Sequence, residues 1–421
     1  MRFIYSLVFY LITPFLLLRL WWKGRTSPAY RQRILERFSL GQRHTKPVDV
    51  WVHAVSLGEV IAVTPLVDAM LAKGWSILIT TMTPTGAEQV KLRFGDKLVH
   101  QYVPYDLPGV LKRFFRKIKP RVGLIMETEL WPNLIHQAHR AKLPLLLLNA
   151  RLSAKSLHSY VKFKWFFKPI LNQFTGILTQ SEEDAQRFIR LGADSALVHH
   201  LGNMKFELQT NSVDASAFIA LKKQWGADRI VLIAASTHDD EESQILARLK
   251  RLQNAIPKLI LLIAPRHPER FQTVYQLASK AGFVTGVRSR LDTVSPTTEV
   301  LVLDSMGELL GFYQASDYAF VGGSLVPVGG HNVLEPIAMN VPVFSGTQVH
   351  NFKTICRDLQ EAQAIELVDD ADDLADRLIC LHEDVQLRQQ MVVNASAVLE
   401  SNKGALAKHL AWVEKCMLSL H

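Results

Sequence analysis

The hydrophobic pattern of the chain alternates short apolar runs with stretches in which apolar residues recur at helical spacing. Seven apolar runs in the first half predict strands, and helical patterns fall between them. These runs are 48–54, 76–81, 98–103, 122–127, 145–150, 176–180 and 196–202. Strands that alternate with helices are typical of βαβ units, so a mainly parallel sheet is predicted.

The pattern is interrupted at 205–227, where polar residues predominate, and then resumes. A second parallel sheet is predicted from the runs 229–236, 259–265, 300–304, 318–323 and 341–346. We therefore predict an α/β protein with two Rossmann-like domains, 23–204 and 228–400, that face a central cleft and are joined by a linker at 205–227. The segment 401–421 is predicted to be a helix that packs back onto the first domain. In such sheets ligands bind beyond the carboxyl ends of the strands.

An apolar segment precedes the first domain. Residues 3–18 carry no charge, and Arg19, Trp21 and Trp22 follow them. An arginine can snorkel and tryptophans favour the interface, so a stretch slightly shorter than the ~20 residues of a typical span still suits a bilayer. No small-residue cleavage site follows, which argues against a signal peptide. We predict a membrane anchor over 1–22, either spanning the bilayer or lying in its interface, with the domains on the cytoplasmic side because basic residues follow it.

The composition indicates how many cores the chain can form, its redox compartment and the charge of its partners. The 421 residues are 48% apolar, enough for two independent cores. The three cysteines have no close spacing, which favours a reducing compartment and no metal site. A net charge of +9 favours a polyanionic partner, whether nucleic acid, anionic lipid or a phosphorylated substrate.

Three acidic residues in the first domain and a lysine at the domain junction are candidates for chemistry. Glu59 lies in the first turn of a helix that follows a strand, where the helix dipole favours an ionised carboxylate suited to a general base. The alternative is a helix cap of the capping-box type. Glu127 and Glu129 follow another strand, and we expect at most one of them to face the cleft. Lys205, at the domain junction, is placed to reach an anionic ligand, or is simply solvated.

The second domain contains a pattern typical of nucleotide binding. In 320–338 a strand ends in two glycines, and two more glycines, Gly329 and Gly330, are predicted to open a helix that carries Asn332 and Glu335. Glycines allow close approach of the backbone, and a helix N-terminus offers free N–H groups to a phosphate. Arg266 follows an apolar strand, where it can clamp a phosphate. The segment 306–308 begins another helix at the same edge.

Other charged segments are less specific. The acidic runs 237–242 and 368–373 are interpreted as solvated helix starts rather than metal sites. Basic residues surround aromatic ones in 111–121 and 161–170, which suits an anionic bilayer or a phosphorylated glycolipid. For 111–121, a core helix with a basic outer face is an equal alternative.

Taken together, these motifs resemble the 3-deoxy-D-manno-oct-2-ulosonic acid (Kdo) transferases of lipopolysaccharide assembly. The resemblance extends over nearly the whole chain and includes HAVSLGE (53–59), METELWPNL (126–134), APRHPERF (264–271), MGEL (306–309) and VGGSLVPVGGHNVLE (321–335). It implies a GT-B fold, an inverting mechanism without metal or cofactor, CMP-Kdo as donor and a lipid A precursor as acceptor held by the first domain. It also implies an inner-membrane enzyme whose partners do not include nucleic acid.

The resemblance also implies roles for individual residues. Glu59 matches the general base, and Glu127 and Lys205 match positions that stabilise the transition state. The positions that match the CMP-binding set are Pro265, Arg266, Met306, Gly307, Glu308, Asn332 and Glu335. Two other classes remain as alternatives: a soluble nucleotide-sugar 2-epimerase of the same bilobal fold, and a tethered binding protein. Another inverting, lipid-directed glycosyltransferase is a further alternative.

Overall fold

A computed structural model describes residues 2–25, 28–40, 47–206, 215–226, 228–290 and 294–418, without the side chains of 215–217, 219 and 224. The chain divides into two compact units. The first consists of Met1–Glu207 and Asn402–His421, and the second of Leu208–Ser401. Each contains its own parallel sheet and its own core.

The first unit alternates strands and helices. Its strands are β1 (Val50–His53), β2 (Ile77–Thr81), β3 (Val99–Tyr102), β4 (Val122–Met126), β5 (Leu145–Ala150), β6 (Gly176–Thr179) and β7 (Val198–His200). Its helices are α1 (Arg2–Lys23), α2 (Leu57–Ala72), α3 (Pro84–Phe94), α4 (Pro108–Ile118), α5 (Pro132–Arg140), α6 (Ala154–Val161), α7 (Lys164–Leu171) and α8 (Glu182–Leu191). Short 3-10 turns lie at Pro28–Arg31, Ile34–Phe38, Ser195–Leu197 and Met204–Phe206.

The first sheet has the order β3-β2-β1-β4-β5-β6-β7, and every neighbouring pair is parallel. Both faces are covered by helices, which is why its strands read as continuous apolar runs. Alternate residues of β1 enter different cores: Trp51 packs on one face, and Val50 and Val52 on the other. The strand order reverses between β1 and β4, so a crevice is expected beyond their carboxyl ends.

The second unit repeats this plan. Its strands are β8 (Ile230–Thr237), β9 (Leu259–Pro265), β10 (Thr285–Val287), β11 (Val300–Val302), β12 (Tyr318–Val321), β13 (Val343–Gly346) and β14 (Glu366–Val368). Its helices are α9 (Ala215–Gly226), α10 (Glu241–Ala255), α11 (Phe271–Lys280), α12 (Leu309–Gln314), α13 (Leu334–Ala338), α14 (Lys353–Glu361), α15 (Ala371–Glu383) and α16 (Val385–Ser401), and a 3-10 turn lies at Pro268–Arg270. The all-parallel sheet has the order β10-β11-β9-β8-β12-β13-β14 and reverses between β8 and β12.

The segment predicted as a linker, 205–227, contains residues of both units. Residues 207–214 and 227 lie outside the described residues. Helix α9 packs Phe218, Leu221 and Trp225 against the core of the second unit. The last helix, α17 (Ala405–Leu418), returns to the first unit and packs against α2.

Helix α1 is the one described helix that is long and apolar enough to cross a membrane. One side of it contacts the first unit: Ser6 Oγ donates to Asn133 Oδ1 at 3.1 Å, and Phe9 and Leu20 pack beside Tyr105. Most of its other large apolar side chains are exposed, and Phe3 is 79% exposed. An apolar helix with a protein-facing and an outward side suits a membrane-associated element.

The structure of α4 contradicts one of the two interpretations of 111–121, that its aromatic side chains face a membrane. Leu111, Phe114, Phe115 and Ile118 are buried in the core, so the aromatic side chains of this segment do not face outward. Its basic residues remain on the other side of the helix. In 161–170, by contrast, Phe163 and Trp165 are more than half exposed, as a membrane-facing surface requires.

Candidate active site

Glu59 lies directly beyond the carboxyl end of β1, in the first turn of α2. Its carboxylate closes a capping box: the Val55 N–H donates to Oε2 at 2.8 Å and Ser56 Oγ donates to Oε1 at 3.0 Å. In return the Glu59 N–H donates to Ser56 Oγ at 3.3 Å. The capping interaction considered as an alternative to a catalytic role is therefore present. It holds the carboxyl in one position at the sheet edge and leaves lone pairs on both oxygens.

The structure does not favour the ionised state expected for Glu59. The side chain is 7% exposed, and burial raises its pKa from 4.5 to about 8, with the charges of Glu127 and Glu129 adding to the effect. The capping bonds from Val55 and Ser56 act in the opposite direction but are weaker. Burial and two nearby carboxylates outweigh the helix dipole, so the Glu59 carboxyl is mostly neutral at pH 7.

Glu127 and Glu129 both lie close enough to Glu59 for their charges to act on it. The strand ends at Met126, and Glu127 has a left-handed backbone with φ 57°, so the chain turns there instead of continuing as a strand. Trp131 Nε1 donates to Glu129 Oε2 at 2.6 Å and fixes that carboxylate. Burial raises the pKa of Glu129 as well. Three carboxyl groups thus converge where β1 and β4 end.

Lys205 supplies the positive charge of this group. Its Nζ donates to Glu127 Oε1 at 2.5 Å, and both side chains are about one-fifth exposed. The solvated alternative for Lys205 is therefore not what the structure contains. A partly exposed pair of this kind remains accessible to an anionic ligand.

A buried asparagine network, which sequence reasoning missed, positions Lys205. Asn203 Oδ1 accepts from the Lys205 N–H at 3.0 Å and from Asn149 Nδ2 at 3.1 Å. Asn402, in the returning C-terminal segment, accepts from the Asn203 N–H at 2.8 Å. Asn149 and Asn203 are almost fully buried. No local motif announces this role, because the partners come from three distant parts of the chain.

In the second unit, five of the residues predicted to bind CMP line one cavity of about 160 Å³. They are Pro265, Arg266, Met306, Gly307 and Glu308. The cavity lies beyond the carboxyl ends of β9 and β11, the edge at which such sheets bind ligands. Glu308 is held by Arg288 at 2.9 Å, and Gly307 has a φ of 82° that favours glycine. No described carboxylate forms an ion pair with Arg266, so its guanidinium is available to a phosphate.

Asn332 and Glu335 are close to each other but do not line that cavity. Asn332 Nδ2 donates to Glu335 Oε1 at 3.1 Å. Helix α13 begins only at Leu334, so the glycines do not open it, and Asn332 precedes it and accepts from the Leu334 N–H at 3.1 Å. Burial raises the pKa of Glu335, and the charge of Arg266 partly offsets this. Arg266 and Glu335 are therefore near neighbours.

The glycine-rich loop after β12 does not offer all its N–H groups to a ligand. The carboxylate of Glu241 accepts from the N–H groups of Gly323, Ser324 and Leu325 at 2.7–3.0 Å. Gly329 and Gly330 N–H donate to the Gly323 carbonyl. Glu241 and Glu242 are fully buried, so the solvated interpretation of 237–242 is wrong for these two residues. In 368–373, by contrast, Asp370 accepts from two N–H groups at the start of α15, and Asp369, Asp370 and Asp372 are exposed.

Sequence reasoning also missed a histidine pair at this edge. His238 Nε2 and His331 Nε2 are 2.8 Å apart, and His267 lies against the His238 ring with 5.3 Å between centroids. Burial lowers the pKa of His331 to about 4. In the described part of the chain, no three His, Cys, Asp or Glu side chains form a group that could hold a metal ion.

Comparison with known proteins decides the family. The Glycos_transf_N family, described as 3-deoxy-D-manno-octulosonic-acid transferase (kdotransferase), matches residues 32–208. The chain is 40% identical to the 3-deoxy-D-manno-octulosonic acid transferase of Haemophilus influenzae, over 97% of each chain. The chain belongs to the Kdo transferase family. The enzyme of the same description from Bordetella pertussis is 33% identical over 98% of this chain and 99% of its own.

A solved structure supports the fold of this Kdo transferase. The UDP-GlcNAc 2-epimerase of Neisseria meningitidis covers 87% of the chain with a TM-score of 0.52 at 14% identity, which shows a shared GT-B fold and no more. The C-terminal CMP-Kdo binding domain of WaaA from Acinetobacter baumannii is 38% identical in sequence; it covers 44% of this chain and 98% of that domain, with a TM-score of 0.42.

Proposed function

We propose that this Kdo transferase moves Kdo from CMP-Kdo to a lipid A precursor with inversion, and that Glu59 is the general base. The observation that carries the proposal is the group of Glu59, Glu127 and Lys205 beyond β1 and β4. It combines a proton acceptor with a carboxylate–ammonium pair at the edge where α/β sheets bind their ligands. The family supports the transferred sugar, and 38% sequence identity to a CMP-Kdo binding domain supports the donor.

The raised pKa of Glu59 suits a base. A carboxylate whose conjugate acid has a pKa of about 8 takes a proton from a hydroxyl far more readily than an ordinary glutamate does. Its capping bonds hold the accepting oxygens in place before substrate arrives. The proposal therefore expects the rate to rise with pH up to about pH 8, as Glu59 becomes ionised.

In the proposed step, an acceptor hydroxyl oxygen attacks the anomeric carbon of Kdo and gives its proton to Glu59. The bond between that carbon and the phosphate oxygen breaks, and CMP leaves from the opposite face. Lys205, paired with Glu127, offsets negative charge on the reacting sugar. Arg266 offsets the charge on the CMP phosphate, and Asn332 and Glu335 bind the ribose hydroxyls.

The apolar helix α1 and the exposed aromatic residues of 161–170 support a membrane location. We further propose that the protein acts at the inner membrane with both units on the cytoplasmic side, where basic residues follow the apolar segment. A lipid acceptor is then presented at the surface to which the first unit is anchored.

Release of CMP from CMP-Kdo, with and without a lipid A precursor, tests the function. The proposal expects release that depends on acceptor and a product heavier by one or more Kdo units. An epimerase would instead alter a nucleotide sugar without acceptor, and a binding protein would release nothing. Either of these results would overturn the proposal.

A further inference from the structure

The two units differ in charge. The first unit contains 32 of the 48 Lys and Arg residues but only 15 of the 39 Asp and Glu residues. Its formal net charge is therefore +17, whereas that of the second unit is −8. The positive charge of the chain belongs to the unit that also carries the apolar helix α1. A positive surface of this size attracts anions over a range of about 10 Å at moderate salt.

Part of this charge lines a concavity of about 420 Å³ between the C-terminal turns of α4 and α5. Its cations are Lys112, Arg116, Lys119 and Arg140. Phe115 and Leu143 contribute apolar surface, and no carboxylate lines the concavity. Within the described part of the chain, none of the four cations forms an ion pair. Four unpaired cations around one concavity repel one another unless an anion lies among them.

The arrangement follows from the amphipathic sequence of α4. Lys112 and Arg116 are four residues apart and lie on one stripe of the helix, and Lys119, the residue at its C-cap, lines the same concavity. The neighbouring stripe, with Leu111, Phe114 and Ile118, is buried in the core, which fixes the rotation of the helix. Arg140 joins the stripe from the last turn of α5.

The concavity is separate from the proposed active site. Helices α4 and α5 end where β4 and β5 begin, which is the amino edge of the sheet. Glu59 and Glu127 lie beyond the carboxyl ends of β1 and β4. The five residues of β4 separate the two edges by roughly 15 Å at the usual rise of a strand. A group bound at the amino edge is therefore not the reacting hydroxyl of the acceptor.

An aromatic concavity of about 460 Å³ adjoins the basic one. Arg2, Phe3, His136, Trp165 and Phe166 are among the residues that line it. His136 and Arg140 are one turn apart on α5, and the charge of Arg140 acts on Arg2. Phe3 and Trp165 are more than half exposed. Exposed aromatic and apolar surface beside a basic pocket is typical of a membrane interface, and the apolar helix α1, which supplies Arg2 and Phe3 here, favours a bilayer over a nucleic acid.

We propose that the basic concavity binds the phosphate group of an anionic membrane lipid. Arg116 and Arg140 can each offer two N–H donors to the phosphate oxygens, and Lys112 and Lys119 add point charges. The glycerol and the upper acyl chains lie toward the aromatic concavity and the outward side of α1. The site holds the amino edge of the first sheet at the bilayer surface. It does not depend on Kdo transfer.

Vesicle binding of the full chain tests this site. Wild-type protein and a variant with Lys112, Arg116, Lys119 and Arg140 all changed to Gln are mixed with phosphatidylcholine vesicles, with and without phosphatidylglycerol. Four equally exposed cations of the same unit, Lys91, Lys97, Arg190 and Lys408, are changed to Gln in a matched control with the same net charge. Thermal unfolding and far-ultraviolet circular dichroism of the full chain show whether each variant is folded.

The pocket variant is expected to bind phosphatidylglycerol vesicles about tenfold or more weakly than wild type, and the control within about threefold, because a basic residue adds affinity only near the lipid surface. Binding to pure phosphatidylcholine should be similar for all three proteins. Equal losses in both variants would show diffuse charge and overturn the site, as would unchanged binding of the pocket variant. Displacement of wild type from the vesicles by inorganic phosphate would also overturn it, because the site would then recognise free phosphate.

Discussion

The protonation state of Glu59 can be tested by replacing this residue with glutamine. Glutamine is neutral like a protonated carboxyl group; its amide oxygen can accept from the Val55 N–H, and its NH2 group can donate to Ser56 Oγ, which then accepts instead of donating. If Glu59 is neutral in the ligand-free protein, the variant imitates its resting form. The two proteins should then be equally stable at low pH and diverge as pH rises.

The magnitude follows from the pKa. Burial raises the pKa of Glu59 from 4.5 in the unfolded chain to about 8 in the folded protein. The stabilising effect of the bound proton is complete below the unfolded pKa and is lost as pH rises through about 8. Between about pH 5.5 and pH 9, wild type should lose roughly 3 kcal/mol that the glutamine variant keeps. For a unit of this size that difference corresponds to about 6–12 °C in Tm.

The assay is thermal unfolding of both proteins in the same detergent across this pH range. Only the difference between them is used, since all other titrating groups contribute to both. Glu88→Gln, on the exposed side of α3, is the matched control and should track wild type at every pH. Parallel curves for Glu59→Gln and wild type would refute the reasoning, because Glu59 would then carry its charge in the folded protein without cost.

Three further predictions concern its neighbours and the second unit. Lys205→Met removes the cation beside Glu127, so the pKa that limits kcat/KM at low pH should rise. A pH–rate profile measures this pKa, and an unchanged profile would place Lys205 outside the site. Arg266→Lys should weaken CMP binding about 10-fold or more in calorimetry, because an ammonium cannot replace a bidentate guanidinium; equal affinity would contradict its role. Glu241→Gln should destabilise the second unit by about 1–3 kcal/mol in denaturant unfolding, since an amide accepts fewer of the loop N–H groups; no change would contradict the buried contact.

The architecture could be read from the sequence because the sheets are covered on both faces. Each interior strand is an apolar run bounded by polar residues, and all seven runs of the first half and all five of the second coincide with strands. The two strands that were missed, β10 and β14, have three residues each and lie at opposite edges of the second sheet. A short edge strand has little apolar surface to bury, so its sequence carries little signal.

The positions of the candidate site residues could be predicted from the sequence, but their protonation states could not. Glu59 in the first unit and Arg266 in the second could be predicted because each follows an apolar run. The carboxyl ends of parallel strands meet at one edge of their own sheet, where ligands bind. The neutral state of Glu59 depends on burial and on Glu127 and Glu129, which are some 70 positions away. The burial of Glu241 likewise depends on a loop more than 80 residues later. Pairings of that kind arise only when the chain has folded.

The catalytic role of Glu59 can be measured by the single-turnover rate of Kdo transfer by Glu59→Gln compared with wild type at about pH 8, since general-base catalysis contributes roughly 10²–10⁴-fold. If Glu59 is the general base, the rate of product formation should fall by that factor, with CMP affinity unchanged and folding intact. Transfer at close to the wild-type rate would contradict it, because a glutamine at that position has no means of accepting the proton.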